Sequence, residues 1–389
     1  MSVGSRILNR SSSMGPATPP PLSEVPASER ASGLSLALRS ELRRRATVSA
    51  LGSRDPTAAN GTLVEERSAA TRRRSRGSLP KVMHAVHSVS KLTNASSAPR
   101  AASSGASSAP PAQPARCDPR FEFFQAGLAG ARSHMEDRTL VVPELAGGQG
   151  AAVFGVFDGH GGSEVADLAV ELLPKFLGEA LEKKKEPHVA LQQSFVQCDQ
   201  AIRRAGASHP SGFERVGCTA TIVLAVRRFG RLRLLCANCG DSRAVLSRGG
   251  VAMDLSHDHK PQDPAERRRI EAAGGQVILY ETAGRVDGCL AVSRGLGDFI
   301  YKAREDLPCD KQKVIAVPEI KEIPVGKCDD FVAVGTDGVF MHLSSEELIG
   351  QLGAARRRGK SWDTAVGDVL EHTKASGDNV SLCIAHFLH

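Results

Sequence analysis

Aromatic residues are scarce in this chain of 389 residues, and the first of them along the sequence is Phe121. The segment before it is rich in Ser, Ala, Pro and Arg. Such a segment cannot bury enough apolar surface to offset the conformational entropy that folding removes. We therefore predict that residues 1–117 form a disordered extension and that residues 118–389 form the globular part of the protein.

Acidic residues are also few in the predicted extension. It contains 17 Lys and Arg against 6 Asp and Glu, a net charge of +11, and because the whole chain carries +7, residues 118–389 carry −4. A basic extension suits contacts with nucleic acid, acidic lipid or acidic proteins, although a solvated tail without a partner is the simpler interpretation. The mildly acidic remainder is unsuited to nucleic acid, so we expect no such substrate for the globular part.

Long apolar runs are missing as well. No stretch approaches the roughly 18 consecutive apolar residues of a membrane span, so no transmembrane segment is predicted. The N-terminus lacks the apolar core of a secretory signal, whereas its first 23 residues combine Arg and Ser with no acid. We expect a cytoplasmic or nuclear location, with organelle targeting by the extension as the alternative.

Cysteine is present in a pattern that excludes two common uses. The nine cysteines are odd in number and irregularly spaced, which argues against a disulfide framework and favours a reducing compartment. Cys236 and Cys239 form a C-x-x-C pair, but no second pair or His cluster completes a zinc site. Their apolar surroundings predict buried, small side chains instead.

The apolar periodicity alternates between strand-like runs and pairs of helices. Residues 163–185 and 187–205 form one predicted helix pair, and residues 344–357 and 361–374 form the other. Short runs rich in Val, Ile, Phe and Ala lie before, between and after these pairs, and 313–317 is among those predicted as strands. Because strands follow one another without strict alternation with helices, we predict an α+β fold with antiparallel sheets and helices outside.

Acidic residues recur where predicted strands end. An apolar run stops at Asp158-Gly159, another stops at Asp337-Gly338, and glycine at such a place permits a sharp turn. Further acids in equivalent places are Glu136, Asp137, Asp241 and Asp378. Carboxylates gathered at one end of a fold would repel one another unless cations lay between them. A ligand set of carboxylates without Cys or His indicates Mg²⁺ or Mn²⁺.

Two other residues suit phosphate chemistry beside such ions. Two divalent ions a few Å apart can share and deprotonate a water, and the resulting hydroxide can attack phosphorus. Arg132 is the candidate for binding the phosphate, because a guanidinium matches its oxygens. His160, two residues after Asp158, is the candidate acid for the leaving oxygen. The simpler alternative is that Asp-Gly occurs at strand ends only because it turns well.

Eight motifs, taken together and in order, resemble the metal-dependent type-2C protein serine/threonine phosphatases, the PPM family. They are RSHMED (132–137), VFDGHGG (156–162), GCTA (217–220), NCGDSR (238–243), DHKP (258–261), AVSRGLGD (291–298), TDG (336–338) and SGDN (376–379). The resemblance covers residues 121–389 and leaves out the extension. Any one motif alone would be weak, whereas eight in this order are specific.

The resemblance implies a four-layer α-β-β-α sandwich, in which two antiparallel sheets are flanked by helices, with the metals in a cleft at one end. It implies two Mg²⁺ or Mn²⁺ ions, a bridging role for Asp158, phosphate binding by Arg132 and proton donation by His160. Asp137 and Asn379 would orient the ligands. The implied ligands are Glu136, Asp158, the Gly159 carbonyl, Asp337 and Asp378.

The sequence also departs from the family pattern. The family has Asp-Gly-x-Trp-Asp, and here the stretch ends in Phe340-Met341. The missing acid helps to hold a third metal together with the residue that matches Asp241, and a Met341 thioether cannot bind Mg²⁺. Gly377 also replaces a familiar Arg before Asp378. The third metal site of the family therefore lacks one of its ligands here, with Asp241, Asp137 and Asn379 as the remaining candidates for a third metal or for orienting the other ligands, while the implied ligands of the first two ions are present.

The resulting hypothesis is a monomeric enzyme that dephosphorylates phosphoserine and phosphothreonine in proteins. The first alternative is an inactive family member that binds phosphoproteins, and the second is a two-metal nuclease or small-molecule phosphoesterase.

His259-Lys260-Pro261 is interpreted as a structural turn rather than a catalytic element. Ser293 has no suitably spaced His and acid to activate it as a nucleophile.

Overall fold

The computed structural model describes residues 120–209, 212–281 and 283–389. The extension predicted over residues 1–117, and the boundary at 117/118, lie outside the described residues. Within the part of the chain that the structure describes, no helix is long and apolar enough to cross a membrane.

Two five-stranded sheets form the centre of the fold, and every strand pair in them is antiparallel. The first sheet has the order β1–β15–β14–β8–β9. Its strands are β1 (Arg120–Leu128), β8 (Arg243–Arg248), β9 (Val251–Asp254), β14 (Asp329–Gly335) and β15 (Val380–Leu388). The second sheet has the order β13–β7–β6–β3–β2. Its strands are β2 (Arg138–Val142), β3 (Ala152–Phe157), β6 (Ala220–Arg228), β7 (Arg231–Cys239) and β13 (Glu319–Pro324).

The two sheets pack face to face over a shared apolar core. Phe154 and Leu234 from the second sheet contact the same buried cluster as Leu246, Val332 and Cys383 from the first. All five side chains are essentially inaccessible to solvent. The central strands are buried along nearly their whole length because helices cover the outer faces, so their sequences read as continuous apolar runs rather than alternating ones.

Two long helices cover the second sheet, and two cover the first. Helices α1 (Glu164–Glu182) and α2 (Pro187–Gly206) pack against β3 and β7. Helices α5 (Ser345–Arg357) and α6 (Trp362–Thr373) pack against the first sheet. Ser344 and Glu347 form a reciprocal capping box that fixes the start of α5. The predicted four-layer arrangement of two antiparallel sheets flanked by helices is confirmed.

Several smaller elements lie outside the two large sheets. They are β4 (Gly159–His160), β5 (Gly217–Cys218) and β12 (Leu296–Gly297), which form a small sheet, the hairpin β10 (Val277–Tyr280) and β11 (Ala283–Val286), and the short helices α3 (Pro264–Ala272) and α4 (Asp337–Phe340). Single 3₁₀ turns occupy Phe299–Lys302 and Lys374–Ser376.

One predicted strand is wrong. Residues 313–317 form no strand, and only a single bridge joins Ile315 to Arg294. The run is apolar because Val314, Ile315 and Ala316 are buried in the loop before β13. Burial alone therefore produced a strand-like pattern without a ladder of hydrogen bonds.

Candidate metal centre and catalytic site

The ends of three strands bring carboxylates together. Asp158 follows β3, Asp241 follows β7, and Asp337 follows β14 and begins α4. One carboxylate oxygen from each of them lies within 4.8 Å of the other two. Strands β3 and β7 belong to the second sheet and β14 to the first, so the group lies where the two sheets meet.

Gly159 and Gly338, which follow Asp158 and Asp337, do not form the sharp turns that the sequence predicted. Neither Gly159 nor Gly338 has a positive φ, since Gly159 begins β4 and Gly338 lies in α4. A Cβ at Gly159 would lie 2.4 Å from the Glu136 carbonyl oxygen, and one at Gly338 would lie 2.2 Å from the Asn379 carbonyl oxygen. Glycine is therefore required for close backbone approach, which brings the segments carrying Glu136 and Asp378 to the site.

Burial and neighbouring negative charges raise the pKa of three carboxyl groups in this region. Burial raises the pKa of Asp158 well above its usual value, and the charges of Asp137 and Asp337 add to the effect. Burial and the charge of Asp241 raise the pKa of Asp337 to about 6. Burial raises the pKa of Asp137 to about 7. The cluster therefore holds more negative charge than its surroundings neutralise, which is the electrostatic condition for binding cations.

Asp137 carries an unpaired acceptor in this region. Its side chain is 2 % exposed, and Oδ2 accepts a hydrogen bond of 3.0 Å from Thr336 Oγ1. Oδ1 is buried without a partner in the described part of the chain. A buried acceptor left unpaired is costly, and a water in the shell of a bound ion would satisfy it. The carboxylates of this region form an all-oxygen donor set, which fits a hard divalent cation.

Asn379 ties the Arg132–Glu136 loop to the segment before β15. Its Oδ1 accepts a 2.7 Å hydrogen bond from the Glu136 backbone N–H, and its Nδ2 donates 3.0 Å hydrogen bonds to the carbonyls of Ala129 and His134. The structure therefore places Asn379 where it orients a predicted ligand. Glu136 and Asp378 themselves are not among the three carboxylates whose oxygens lie within 4.8 Å of one another.

Arg132 and Asp378 form an ion pair at the rim. Arg132 Nη2 donates to Asp378 Oδ2 at 2.8 Å, and its Nε donates to the Gly377 carbonyl at 3.0 Å. The Arg132 side chain is 57 % exposed and that of Asp378 is 30 % exposed. An exposed guanidinium held by one carboxylate can exchange that partner for a phosphate.

His160 is paired with a residue to which the sequence reasoning gave no role. Its Nε2 lies 2.7 Å from Asp298 Oδ2, and the Asp298 side chain is 2 % exposed. Burial lowers the pKa of His160, but the charge and hydrogen bond of Asp298 outweigh it and the net pKa is raised. A Cβ at Gly217 would lie 2.1 Å from Asp298 Oδ2 and 2.7 Å from His160 Nε2, so only glycine leaves room for this pair.

Lys260 is the second residue whose role the sequence reasoning missed. Its Nζ lies 2.5 Å from Asp241 Oδ2. The neighbouring His259 is structural, because burial lowers its pKa to about 3 and its Nδ1 accepts a 3.3 Å hydrogen bond from the Gly240 N–H. Asp298 ends the AVSRGLGD motif and Lys260 lies in the DHKP motif. Neither motif indicates that these residues contact His160 and Asp241, respectively.

Two departures from the family pattern, Phe340 and Met341, lie at the end of α4. The Met341 side chain is 59 % exposed at the end of α4. The Phe340 ring lies under the Arg243 guanidinium, 4.6 Å from its carbon, so the Phe340 side chain has a packing role.

Comparisons with known proteins match this chain to one family. Residues 122–382 match the family model described as Protein phosphatase 2C. The chain is similar to "Probable protein phosphatase 2C 2" of Paramecium tetraurelia, with 35 % identity over 65 % of this chain and 85 % of the relative. It is also 36 % identical to "Protein phosphatase 2C homolog 2" of Schizosaccharomyces pombe, over 61 % of this chain and 64 % of that protein.

A solved structure shares the fold. A phosphatase from a pathogenic strain of Toxoplasma gondii superposes with a TM-score of 0.61 and 26 % identity, covering 69 % of this chain and 92 % of that one. The part of this chain outside these matches is mainly its N-terminal segment.

Proposed function

The chain belongs to the protein phosphatase 2C family, and from this premise we propose that it hydrolyses phosphoserine and phosphothreonine in proteins with two bound Mg²⁺ or Mn²⁺ ions. The observation that carries the proposal is the convergence of Asp158, Asp241 and Asp337 within 4.8 Å at the junction of the two sheets. Like charges held this close repel one another, and a bound cation would relieve that repulsion.

The proposed ligands are Glu136, Asp158, the Gly159 carbonyl, Asp337 and Asp378. When bound, the cations supply Lewis-acid charge and lower the pKa of a coordinated water. Asn379 fixes the backbone of Glu136 through its 2.7 Å hydrogen bond and thereby orients that ligand.

Arg132 binds the substrate phosphate. Its guanidinium presents parallel N–H donors that fit two phosphate oxygens, which Lys could not match in geometry. The ion pair with Asp378 holds the side chain near the cluster before substrate arrives. The dianionic phosphate then competes with a single, partly exposed carboxylate for the same donors.

His160 donates the proton that the leaving seryl or threonyl oxygen requires. Asp298 occupies its Nε2, which leaves Nδ1 as the atom from which a proton can pass to the substrate. The buried Asp298 carboxylate also stabilises the protonated imidazole and fixes its ring orientation. Asp298 acts through His160 and is therefore a positioning residue.

The direct test is phosphate release from a phosphothreonine peptide by the full chain. We expect activity with Mn²⁺, loss of activity in EDTA, recovery when Mn²⁺ is restored, and no release above background from Asp337→Asn. Asp368→Asn is the matched control, because Asp368 is an exposed residue of α6 paired only with Lys360. Activity that survives EDTA, or an equal loss in both variants, would reject the proposal.

A phosphoprotein-binding module without catalysis is the alternative raised by Met341. The comparisons give it no support, since the named relatives are phosphatases. Tight phosphopeptide binding without turnover in the assay above would favour it.

A further inference from the structure

The turn between β6 and β7 places a bulky aromatic residue in a strained and exposed position. Two residues, Phe229 and Gly230, join the strands, and their φ angles are +50° and +75°. A two-residue turn with positive φ at both positions favours Asn or Gly at the first, because a bulky side chain is strained there. The Phe229 side chain is 95 % exposed, with the Arg228 guanidinium 5.5 Å from its ring centroid. Burial therefore does not offset the strain.

Positive charge surrounds this aromatic residue. Residues 227–233 contain four arginines and no acid. Arg228 lies directly opposite Arg231 across the hairpin, and like charges in that arrangement destabilise a strand pair. The turn between α1 and α2 adds the lysines at 183–185, which the 2.5 Å ion pair of Glu186 with Arg228 brings to the hairpin. The globular part as a whole carries −4, so positive charge is concentrated here.

The protein neutralises only part of that charge. Arg228 and Arg233 share the Glu322 carboxylate, at 3.7 and 2.7 Å. Among the described residues, no acidic side chain forms an ion pair with Arg231 or with the lysines at 183–184. These three side chains belong to exposed residues. They are therefore available to an anionic partner.

The hairpin turn projects into solvent, far from the candidate metal centre. A Cβ added at Gly230 would have no heavy atom within 4 Å. Strand β7 runs nine residues from Arg231 to Cys239, and Asp241 follows its other end. Nine residues of strand span about 30 Å at roughly 3.3 Å per residue. A partner at the turn would therefore leave the metal centre uncovered.

The shape and composition of the turn favour a lipid surface over other anionic partners. Proteins that bind single-stranded nucleic acid use a basic groove with several aromatic rings, one for each successive base. The projecting turn offers a single ring, and it is not a groove. A bilayer surface requires neither, because one aromatic ring can enter the headgroup region while neighbouring Arg and Lys contact anionic headgroups.

We propose that this basic tip, formed by residues 227–231 and the lysines at 183–184, binds the surface of membranes that contain anionic phospholipid. Phe229 enters the interface, and the arginines and lysines around it contact lipid phosphates and carboxylates. The contact is peripheral and reversible, because one ring and a few cations supply much less binding energy than a membrane span.

The direct test places a fluorescent reporter at the turn. The natural Trp362 is 3 % exposed, so its emission provides a constant background for Phe229→Trp in the full chain. We expect the emission of Phe229→Trp to shift to shorter wavelength on vesicles of equal parts phosphatidylcholine and phosphatidylserine, and brominated lipid to quench it. Vesicles of phosphatidylcholine alone should have no effect. The control is Leu279→Trp, at a residue 55 % exposed in the β10–β11 hairpin, which should not respond.

Cosedimentation with the same anionic vesicles measures how much the tip contributes to binding. Phe229→Asn should lower the partition coefficient of the full chain by about tenfold, and Arg231→Gln by about fivefold. Asn suits the turn, so Phe229→Asn should melt no lower than wild type. Matched controls are Leu279→Asn and Arg358→Gln, which remove an exposed apolar side chain and an exposed charge elsewhere and should change the partition coefficient little.

The reporter separates the tip from the basic extension, which could also attract anionic vesicles. Emission of Phe229→Trp that does not respond to phosphatidylserine vesicles overturns the proposal. So does a partition coefficient that is the same for Phe229→Asn and wild type, since the membrane contact then belongs to another part of the chain. A response to a single-stranded RNA oligonucleotide and none to vesicles overturns it in favour of nucleic acid.

Discussion

At the scale of single residues, the site depends on pairs in which one side chain orients another. Asp298 holds His160 at 2.7 Å, Lys260 holds Asp241 at 2.5 Å, and Asn379 holds the backbone of Glu136 at 2.7 Å. In each pair one member is a residue to which the sequence gave a candidate role in the site, and the other contacts it. Such partners decide geometry and charge at the reacting groups.

The His160–Asp298 pair gives a prediction about leaving groups. Asp298→Asn should lower kcat for a phosphothreonine peptide by ~10²-fold, because the imidazole loses the charge that keeps it protonated and oriented. The same variant should act nearly normally on p-nitrophenyl phosphate, since nitrophenolate leaves without a proton. Steady-state kinetics on the two substrates, with Mn²⁺ affinity measured in parallel, provide the check.

Gly217→Ala tests the same pair by a different route. Its new Cβ would meet Asp298 Oδ2 at 2.1 Å, so it should show the same dependence on the leaving group. The control is Gly367→Ala in α6, where nothing lies within 4 Å of the added Cβ and both substrates should be turned over normally. An equal loss on both substrates for Asp298→Asn would show that Asp298 serves the fold or the metals and not proton donation.

Sequence alone could indicate most of the candidate ligands, and the family resemblance implied the orienting role of Asn379, but nothing in the sequence indicated Asp298 or Lys260 as partners. Asp158 and Asp337 stand out because each ends a long apolar run, and a run of that kind predicts a buried strand. Asp298 lies 138 positions from His160, in a glycine-rich stretch with no regular periodicity. Contacts of that kind depend on how loops fold over the sheet ends, which local patterns do not report.

At the scale of secondary-structure elements, helix α3 carries a buried charge network that its polar sequence hides. Glu266 is 4 % exposed and its carboxylate accepts hydrogen bonds from Arg269 at 2.7 Å, Arg294 at 2.7 Å and Ser293 at 2.6 Å. The network fastens α3 to the segment 293–298, which ends in Asp298. Composition alone cannot tell a charged residue that faces the interior from one that faces solvent.

Replacing Glu266 should therefore destabilise the protein strongly. Glu266→Gln leaves Arg269 and Arg294 largely buried without their counter-charge, and we expect a loss of about 3–5 kcal/mol in the free energy of unfolding. Glu271→Gln is the control on the same helix, because its pair with Arg267 is about half exposed on both sides, and it should cost less than about 1 kcal/mol. Urea unfolding of both variants measures the difference, and similar losses would contradict the network.

Glu266 should also make the free energy of unfolding depend on pH in the acid range. Burial alone would raise the pKa of Glu266, but the hydrogen bond from Arg294 and the charges of Arg269 and Arg294 outweigh it and lower the pKa to about 2. A depressed pKa contributes stability above the unfolded value of 4.5, and that contribution is lost as pH falls from there toward 2. The difference in stability between wild type and Glu266→Gln should shrink over this window.

The regular elements were predictable to different degrees. The four long helices lie within three residues of their predicted ends, because their apolar faces repeat with the helical period over three or more turns. The three two-residue strands β4, β5 and β12 left no recognisable pattern. The hairpin of β10 and β11 was missed because its strand Val277–Tyr280 has no buried residue and therefore no alternation.

At the scale of the whole molecule, the candidate metal centre exists only when both sheets are assembled. Asp158 and Asp241 come from the second sheet and Asp337 from the first, and the two sheets are joined by the core around Phe154 and Val332. Binding of Mn²⁺ to the folded state alone must then stabilise the sandwich by mass action. The affinity for Mn²⁺ and the increase in the free energy of unfolding that Mn²⁺ causes are therefore linked quantities.

This linkage tests the predicted domain boundary as well. A truncated chain of residues 118–389 should fold, because the strands at both edges and all four cover helices lie within it. At a Mn²⁺ concentration 100 times the dissociation constant, its stability should rise by about 2.7 kcal/mol, as should that of the full chain. Thermal unfolding with and without Mn²⁺ compares the two, and Asp337→Asn should lose most of the increase in both. A truncated chain that fails to fold, or a Mn²⁺ effect present only in the full chain, would show that residues 1–117 contribute to the sandwich or to the metal centre and would move the boundary toward the N-terminus.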